Sequence, residues 1–230
     1  MVRFVPNGPP LAGYGTGVPT RADDFPGAEQ YLPADRSLET LTAAVPSCRG
    51  CDLWQDATQA VFGEGPATAG LVLVGEQPGD VEDREGEPFV GPAGRLLDRA
   101  LADAGLSREE VYVTNAVKHF RFTQRGKRRI HEGPSRWHVA ACQPWLLAEL
   151  DAIRPQGPVV LGATAGKALY GSGFRVTQSR GRVMEGPAPF EGWAVATTHP
   201  SAVLRSRDRD ADYAGLVADL EVAAGELGRG

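Results

Sequence analysis

The chain is short of the features that would staple it, embed it or export it. Three cysteines are an odd number and too few for a disulfide framework in 230 residues. A reducing cytoplasm is therefore expected, where a Cys-x-x-Cys pair more often binds metal or does redox chemistry. No window approaches 18 uninterrupted apolar residues, so no membrane span is expected. The opening residues, MVRFVPNGPPLAGYG, lack a long apolar run and do not read as a signal peptide. Excess positive charge is missing as well. A formal charge of −5 and a pI of about 5.4 mean that any nucleic-acid binding has to be local. There is no G-x-G-x-x-G, no Gly-Lys-Ser/Thr, and no H-x-E with a P-C-x-x-C partner. The dinucleotide fingerprint, the P-loop and the zinc-deaminase arrangement are thus absent.

What is present is a core-forming chain, 42% hydrophobic, with one local concentration of positive charge. Residues 1–36 are rich in Gly and Pro and read as a flexible or irregular leader. Residues 37–230 read as one domain. Within it, Lys118, Arg121, Arg125, Lys127, Arg128 and Arg129 fall between Lys118 and His131 with no acidic residue among them. Everything outside that run sums to −11, against −5 for the whole. A positive segment on an acidic protein points to a polyanionic partner, or else to an ordinary solvated loop.

Hydrophobic patterning predicts an α/β fold. Leu71–Val74, Val111–Thr114, Val159–Leu161 and Trp193–Thr197 are short apolar runs of the kind buried on both faces of a sheet. Helical spacing appears from Ser37, over Leu96 to Ala104 with Gly105 as a stop, and after Ser135, where Pro144 predicts a kink or a late restart. A short helix to about Leu169, one starting at His199-Pro200-Ser201, and one over Asp210 to Leu227 complete the set, with a short hairpin considered between Gly171 and Pro189. The expected architecture is three layers, α/β/α, around a central, mostly parallel four-stranded sheet. Glu76, Gln77, Asn115, Gly162 and His199 each fall just past the C-terminal end of a strand. That edge is where open α/β sheets bind ligands.

Individual residues allow particular chemistry. Gly75-Glu-Gln-Pro-Gly79 permits close backbone approach, and Glu76 suits a general base or a cation-stabilising carboxylate, or simply a partner for loop amides. Cys48-x-x-Cys51 alone is ambiguous among zinc, redox and iron–sulfur. With Cys142 and His119 it makes a three-thiolate, one-imidazole set that suits either a cluster or structural zinc. Alternatively, Cys142 is a small core residue on a helix face. His131 follows three cations in Lys127-Arg-Arg-Ile-His131, which favours the neutral, nucleophilic imidazole, or makes it one more phosphate donor. His138 reads as a surface or packing histidine.

Taken together, these residues resemble the iron–sulfur branch of the uracil-DNA glycosylase superfamily over roughly Leu38 to Leu227. The motifs are Gly75–Gly79, Asn115 in Thr114-Asn-Ala-Val-Lys118, and His199-Pro-Ser201. His119 in place of a third cluster cysteine, Gln77, and the enlarged loop ending at His131 resemble family X, a relative of family 4. That resemblance implies excision of uracil from DNA, a [4Fe–4S] cluster on Cys48, Cys51, His119 and Cys142, and a monomer acting on single-stranded or double-stranded DNA. It implies that Phe89 stacks on the extruded base, Asn115 reads its pairing edge and His199 stabilises the departing anion. Glu76 would stabilise the sugar cation or orient His131, while Gln77 and Asp80 shape the site. Gly75 and Ser201 would join the substrate contacts, and Arg128 and Arg129 would brace the loop or meet phosphate. His131, at the tip of that loop, would capture C1′ where ordinary glycosylases use water, leaving a covalent adduct and a single turnover. A conventional water-using enzyme, or a non-catalytic metal-stabilised protein that binds damaged DNA, is the competing expectation.

Overall fold

A computed structural model of the protein describes residues 25–228. The first 24 residues of the Gly/Pro-rich leader lie outside the described residues. Its remainder rests on the body: Phe25 meets Trp137 edge to face at 6.1 Å, and Ala28 is buried. A first helix, α1 (Leu38–Ala44), is capped by Ser37, whose side chain accepts from the Thr40 amide. It gives way at Pro46 to a short 3-10 turn that delivers Cys48.

The sheet alternates faces as its sequence dictates. Strand β1 (Leu71–Gly75) sends Leu71 and Leu73 to one side. There they pack under α3 (Pro92–Asp103) and the C-terminal α8 (Arg209–Leu227). Val72 and Val74 go to the other side, against α4 (Arg136–Ile153) and α5 (Gly162–Tyr170). Burying an aliphatic side chain of this size stabilises by about 1.5–3 kcal/mol, so this alternation fixes which face each helix covers. The other parallel strands are β2 (Tyr112–Asn115), β5 (Gly157–Leu161) and β7 (Trp193–Thr197). Short helices α2 (Asp80–Glu85), α6 (Val176–Ser179) and α7 (Pro200–Arg205) fill the connections.

The expected three-layer α/β/α class holds, but the sheet has five strands rather than four. The order is β2-β1-β5-β7-β6, and β6 (Val183–Glu185) pairs antiparallel with β7. This edge strand has three residues and a largely exposed surface, so it lacks the apolar run that marks the inner strands. Two further departures are physical. Pro144 lies inside α4 without ending it. The turns beyond it are held by fully buried Trp145, Leu146 and Leu150, and this packing outweighs the one hydrogen bond that proline forfeits. The basic segment, expected as a loop, is a two-stranded ribbon of β3 (Phe122–Arg125) and β4 (Arg128–His131) standing apart from the main sheet. Its turn falls at Gly126, φ 59°, the left-handed conformation that glycine accepts without strain.

Strand order reverses between β1 and β5. The loops leaving those two strands therefore splay apart and leave a crevice at the sheet's C-terminal edge. Among the described residues, no helix is long and apolar enough to cross a membrane.

Candidate active site

The crevice is built from the loops after β1, β2, β5 and β7. Glu76 leaves β1 with its Oε2 accepting from the Thr164 hydroxyl, across the point where the strand order switches. Asn115 ends β2, paired in register with Gly75, and is only 3% exposed. Its Oδ1 is buried and accepts no hydrogen bond from any described residue. A buried carbonyl without a donor costs about 1–3 kcal/mol, so an arrangement that keeps one points to a ligand that supplies the donor.

Phe89 lies beside it. A Cβ on Gly75 would stand 2.4 Å from Asn115 Oδ1 and 2.6 Å from Phe89 Cζ, so glycine alone lets amide and ring approach this closely. Phe89 has φ 59°, an unusual backbone conformation for a bulky residue. Neighbours impose it: Glu82 accepts from both Gly79 N (3.1 Å) and Gly91 N (2.8 Å), tying the phenylalanine loop to the start of α2. Gly94 lets α3 come close beneath, since a Cβ there would lie 1.5 Å from Phe89 O.

His199 stacks toward Phe89, with centroids 6.2 Å apart and planes 30° apart. Its Nδ1 accepts from the Ser201 amide at 3.2 Å. Burial first, then the neighbouring Arg205 and His131, hold its pKa down to about 4. A neutral imidazole that accepts at Nδ1 carries its proton on Nε2. His199 is therefore a fixed neutral donor beside the stacking ring.

The ribbon supplies the fourth wall. Gln77 staples its base: Oε1 accepts from Arg121 N at 3.2 Å, and Nε2 donates to Arg121 O at 3.2 Å and Glu132 O at 3.0 Å. The same Nε2 is 3.0 Å from His131 Nε2. Two amide hydrogens face three partners there, and the tautomer of His131 decides whether its Nε2 is one of the acceptors. His131 Nε2 is 3.7 Å from Glu76 Oε1. That is too long for a hydrogen bond but close enough for the carboxylate to stabilise positive charge.

His131 does not sit at the tip of the basic segment, as expected from sequence. It ends β4, opposite Phe122, because the turn falls at Gly126. Its side chain is 50% exposed and its ring lies 5.9 Å from that of Phe120. Arg129 braces the ribbon. It pairs with Asp80 and, at 2.6 Å, with the buried Asp83, while its guanidinium lies 5.0 Å from the Phe122 ring centroid. Asp80 thus meets the ribbon through Arg129. Arg128 is exposed and forms no ion pair with a described residue.

Behind β2 lies a buried ion pair. Lys118 Nζ contacts Glu149, donates to Thr114 Oγ1 at 2.7 Å and holds the Asn115 carbonyl at 2.9 Å. Glu149 also accepts from Gly63 N at 3.0 Å, Tyr112 Oη at 3.1 Å and Thr114 Oγ1 at 2.9 Å.

Cys48, Cys51 and Cys142 are free, buried and gathered in one cluster with Trp145. The Trp145 indole donates to Cys48 Sγ at 3.2 Å and the Lys118 amide to Cys142 Sγ at 3.3 Å. His119 is buried and makes no hydrogen bond to a described residue, and burial lowers its pKa to about 4, so the imidazole is neutral and its one acceptor nitrogen is unengaged. Burial pushes the Cys51 thiol up to about 12, so on its own it stays protonated. Among the described residues, no three His, Cys, Asp or Glu side chains are grouped to hold a single ion. Three buried thiols in one cluster are nonetheless donors of the kind that hold iron–sulfur groups.

Thr164, Glu82 and Glu149 escaped the sequence reading. Glu149 alone left a signal: it falls between Leu146, Leu150 and Ile153 on the apolar stripe of α4, where an unpaired carboxylate would be costly.

Comparison with known proteins adds a lineage to this geometry. The sequence pattern of the uracil DNA glycosylase superfamily matches residues 62–221. The chain is 38% identical over 177 residues to the type-4 uracil-DNA glycosylase of Archaeoglobus fulgidus, covering 73% of this chain and 83% of that protein. It is 40% identical over 174 residues to that of Sulfurisphaera tokodaii (73% and 76%) and 36% identical over 176 residues to that of Thermotoga maritima (75% and 86%).

Proposed function

The chain belongs to the uracil DNA glycosylase superfamily, and on that premise we propose that it excises uracil from DNA and captures the resulting sugar on His131. The observation that carries base recognition is the donorless, buried Asn115 Oδ1. Uracil presents an N–H at N3, whereas cytosine presents a lone pair there, so this acceptor selects uracil once the base leaves the stack. Phe89 stacks on the ring.

Cleavage breaks the C1′–N1 bond, and the electron pair leaves with the base. Negative charge develops on uracil O2, where the His199 Nε2–H donates; one such donor is worth about 100- to 1000-fold in rate. The sugar is left as an oxocarbenium, stabilised by the Glu76 carboxylate. The His131 Nε2 lone pair then forms the N–C1′ bond. The resulting imidazolium faces Glu76 and loses its Nδ1 proton to solvent, and the uracil anion takes a proton from solvent as it leaves as the free base. Thr164 keeps Glu76 aimed by holding its other oxygen. Bound at Cys48, Cys51, His119 and Cys142, a [4Fe–4S] cluster would supply a structural tie between the start of the chain, β2 and α4. Residues on either side of His119 and Cys142 then hold the two ends of the ribbon in place.

A second reading has water take the place of His131, oriented by Glu76. The similarity to type-4 enzymes favours it. Denaturing electrophoresis with a uracil-containing oligonucleotide separates the two. We expect a persistent shifted band with the natural chain and none with His131→Ser, which should still release uracil. A shifted band that survives His131→Ser sinks covalent capture at this residue, and free abasic product from the natural chain establishes the water reading. For the cluster, anaerobically purified protein should be brown, with about four iron and four sulfide per chain. One zinc and no visible absorbance overturns it.

A further inference from the structure

His138 holds two parts of the chain at once. It is the third residue of α4 and is buried, not the surface histidine its sequence context suggests. Its Nδ1 accepts from the Ser135 amide at 3.0 Å, while the Ser135 side chain accepts from the His138 amide at 3.3 Å. This reciprocal pair is a capping box, in which the third residue is usually glutamate or glutamine. An imidazole does the same job and adds a second nitrogen on the far side of a rigid ring. A neutral ring that accepts at Nδ1 carries its proton on Nε2. That nitrogen is 2.8 Å from Asp52 Oδ1, so His138 donates to the carboxylate. The bond is largely shielded from water, with the two side chains 6% and 16% exposed.

The elements joined by this bond both carry thiols. Asp52 follows Cys51 and opens the 3-10 turn Asp52–Gln55. His138 stands one helical turn before Cys142, on the same side of α4. A second tie joins the same two elements. Gly27 N donates to Gly50 O at 3.0 Å, and Ala28 N donates to Ala141 O at 2.8 Å, so the leader lies across both. Gly50 has no room for a side chain, since a Cβ there would stand 2.6 Å from Gly27 C. Ala28 packs in the same buried group as the three cysteines. Phe25 meets Trp137, whose ring centroid is 5.1 Å from that of His138. The Cys48–Cys51 loop is thus fastened to α4 twice, once by leader backbone and once by a side-chain pair.

We propose that His138 and Asp52 form a latch that keeps the three thiols gathered and governs how readily the site opens to give up its iron. His138 is a positioning residue for the cofactor, acting through Cys51 and Cys142 rather than on the substrate. The proposal rests on the iron–sulfur reading and extends it to residues that are not ligands. A shielded hydrogen bond to a charged acceptor is worth about tenfold or more in a local opening equilibrium.

The test follows iron release to bathophenanthroline disulfonate under anaerobic conditions, read by the colour of the iron(II) complex. It compares the natural chain, Asp52→Ala, Asp52→Asn, His138→Ala and the His138→Ala/Asp52→Ala double variant, all starting from matched iron and sulfide content. Asp52→Ala should lose iron about tenfold faster than the natural chain. Asp52→Asn keeps an acceptor for the Nε2–H and should stay within about threefold of it. Both substitutions remove the same charge from beside Cys51, so the difference between them reports the hydrogen bond. In the His138→Ala background, Asp52→Ala should add less than about twofold. His138→Ala also loses the helix cap; should it not fold, the two Asp52 variants decide alone. Equal rates of iron loss from the natural chain and Asp52→Ala overturn the latch. So does equal acceleration by Asp52→Ala and Asp52→Asn, which assigns the effect to charge, or an Asp52→Ala effect that persists in full without His138. If the natural chain, purified anaerobically, holds no iron and sulfide, the iron–sulfur reading has failed and the latch falls with it. If it holds both and the rates do not differ, the latch alone has failed.

Discussion

Asn115 and His131 stand on opposite sides of one crevice and are held in contrasting ways. Asn115 is 3% exposed, lies in a parallel ladder, and has its main-chain carbonyl gripped by a buried lysine. His131 has a half-exposed side chain at the end of a two-stranded ribbon that belongs to no larger sheet. A two-stranded ribbon alone is marginal in water. This one is held by side chains from elsewhere, chiefly Gln77 at its base and the carboxylates around Arg129. Reading a base needs a fixed acceptor, because a misplaced amide loses discrimination. Attack on a sugar that arrives after bond cleavage needs a group that can turn. On the proposed reading, selection sits in the core and the nucleophile on an attachment, so the two should fail separately.

The largest effect should come from the core side. Glu149→Ala leaves Lys118 buried without a counter-charge, a change that costs about 3–5 kcal/mol in comparable cases. Thermal or urea unfolding should show that loss, and whatever protein remains folded should release uracil poorly because Lys118 no longer fixes the Asn115 main chain. Near-native melting with full activity would break the contrast. Next is Arg129→Ala, which frees the ribbon from Asp80 and Asp83 and removes the cation over Phe122. Global stability should fall by about 1–3 kcal/mol, since Asp83 keeps its bonds from the Thr58 amide. Amide exchange over 122–131 should rise sharply. If His131 is the nucleophile, adduct yield should drop at least about tenfold while uracil release changes by less than about threefold. A parallel fall in both would mean that the ribbon also reads the base.

Sequence alone reached the core side more fully than the ribbon side, for a physical reason. Strands buried on both faces leave apolar runs, and the residues just past them, Glu76, Asn115 and His199, can be placed at one edge without knowing a single contact. The ribbon is set by tertiary partners that no local pattern announces. Its turn depends on Gly126, which puts His131 at the base rather than the tip. Arg129 looks like a phosphate ligand until Asp80 and Asp83 are seen beside it. Thr164 and Glu82 belong to the same class: their meaning comes from Glu76 and from Gly79 and Gly91, far off or backbone-mediated, so residue type alone says nothing. The fifth strand β6 was hidden because an exposed edge needs no hydrophobic run.

The smallest effect concerns pH, and the core side carries it. The His199 pKa in the folded chain is held down to about 4, from 6.5, by burial first and by Arg205 and His131 after it. Between those values the unfolded chain binds a proton that the folded chain refuses, so unfolding is favoured as pH falls. The stabilising contribution is fully present above 6.5 and is lost progressively toward 4. By pH 5 the loss should be about 2 kcal/mol for this one group. His119 shifts in the same direction, so the wild-type slope contains both. The share of His199 is isolated by comparing urea unfolding of the natural chain and His199→Gln at pH 7 and pH 5, since the His119 contribution cancels in the difference. The gap between the two proteins should narrow at the lower pH. A gap that holds constant would mean that His199 is not kept neutral by its surroundings, and the fixed Nε2 donor assigned to the base pocket would go with it.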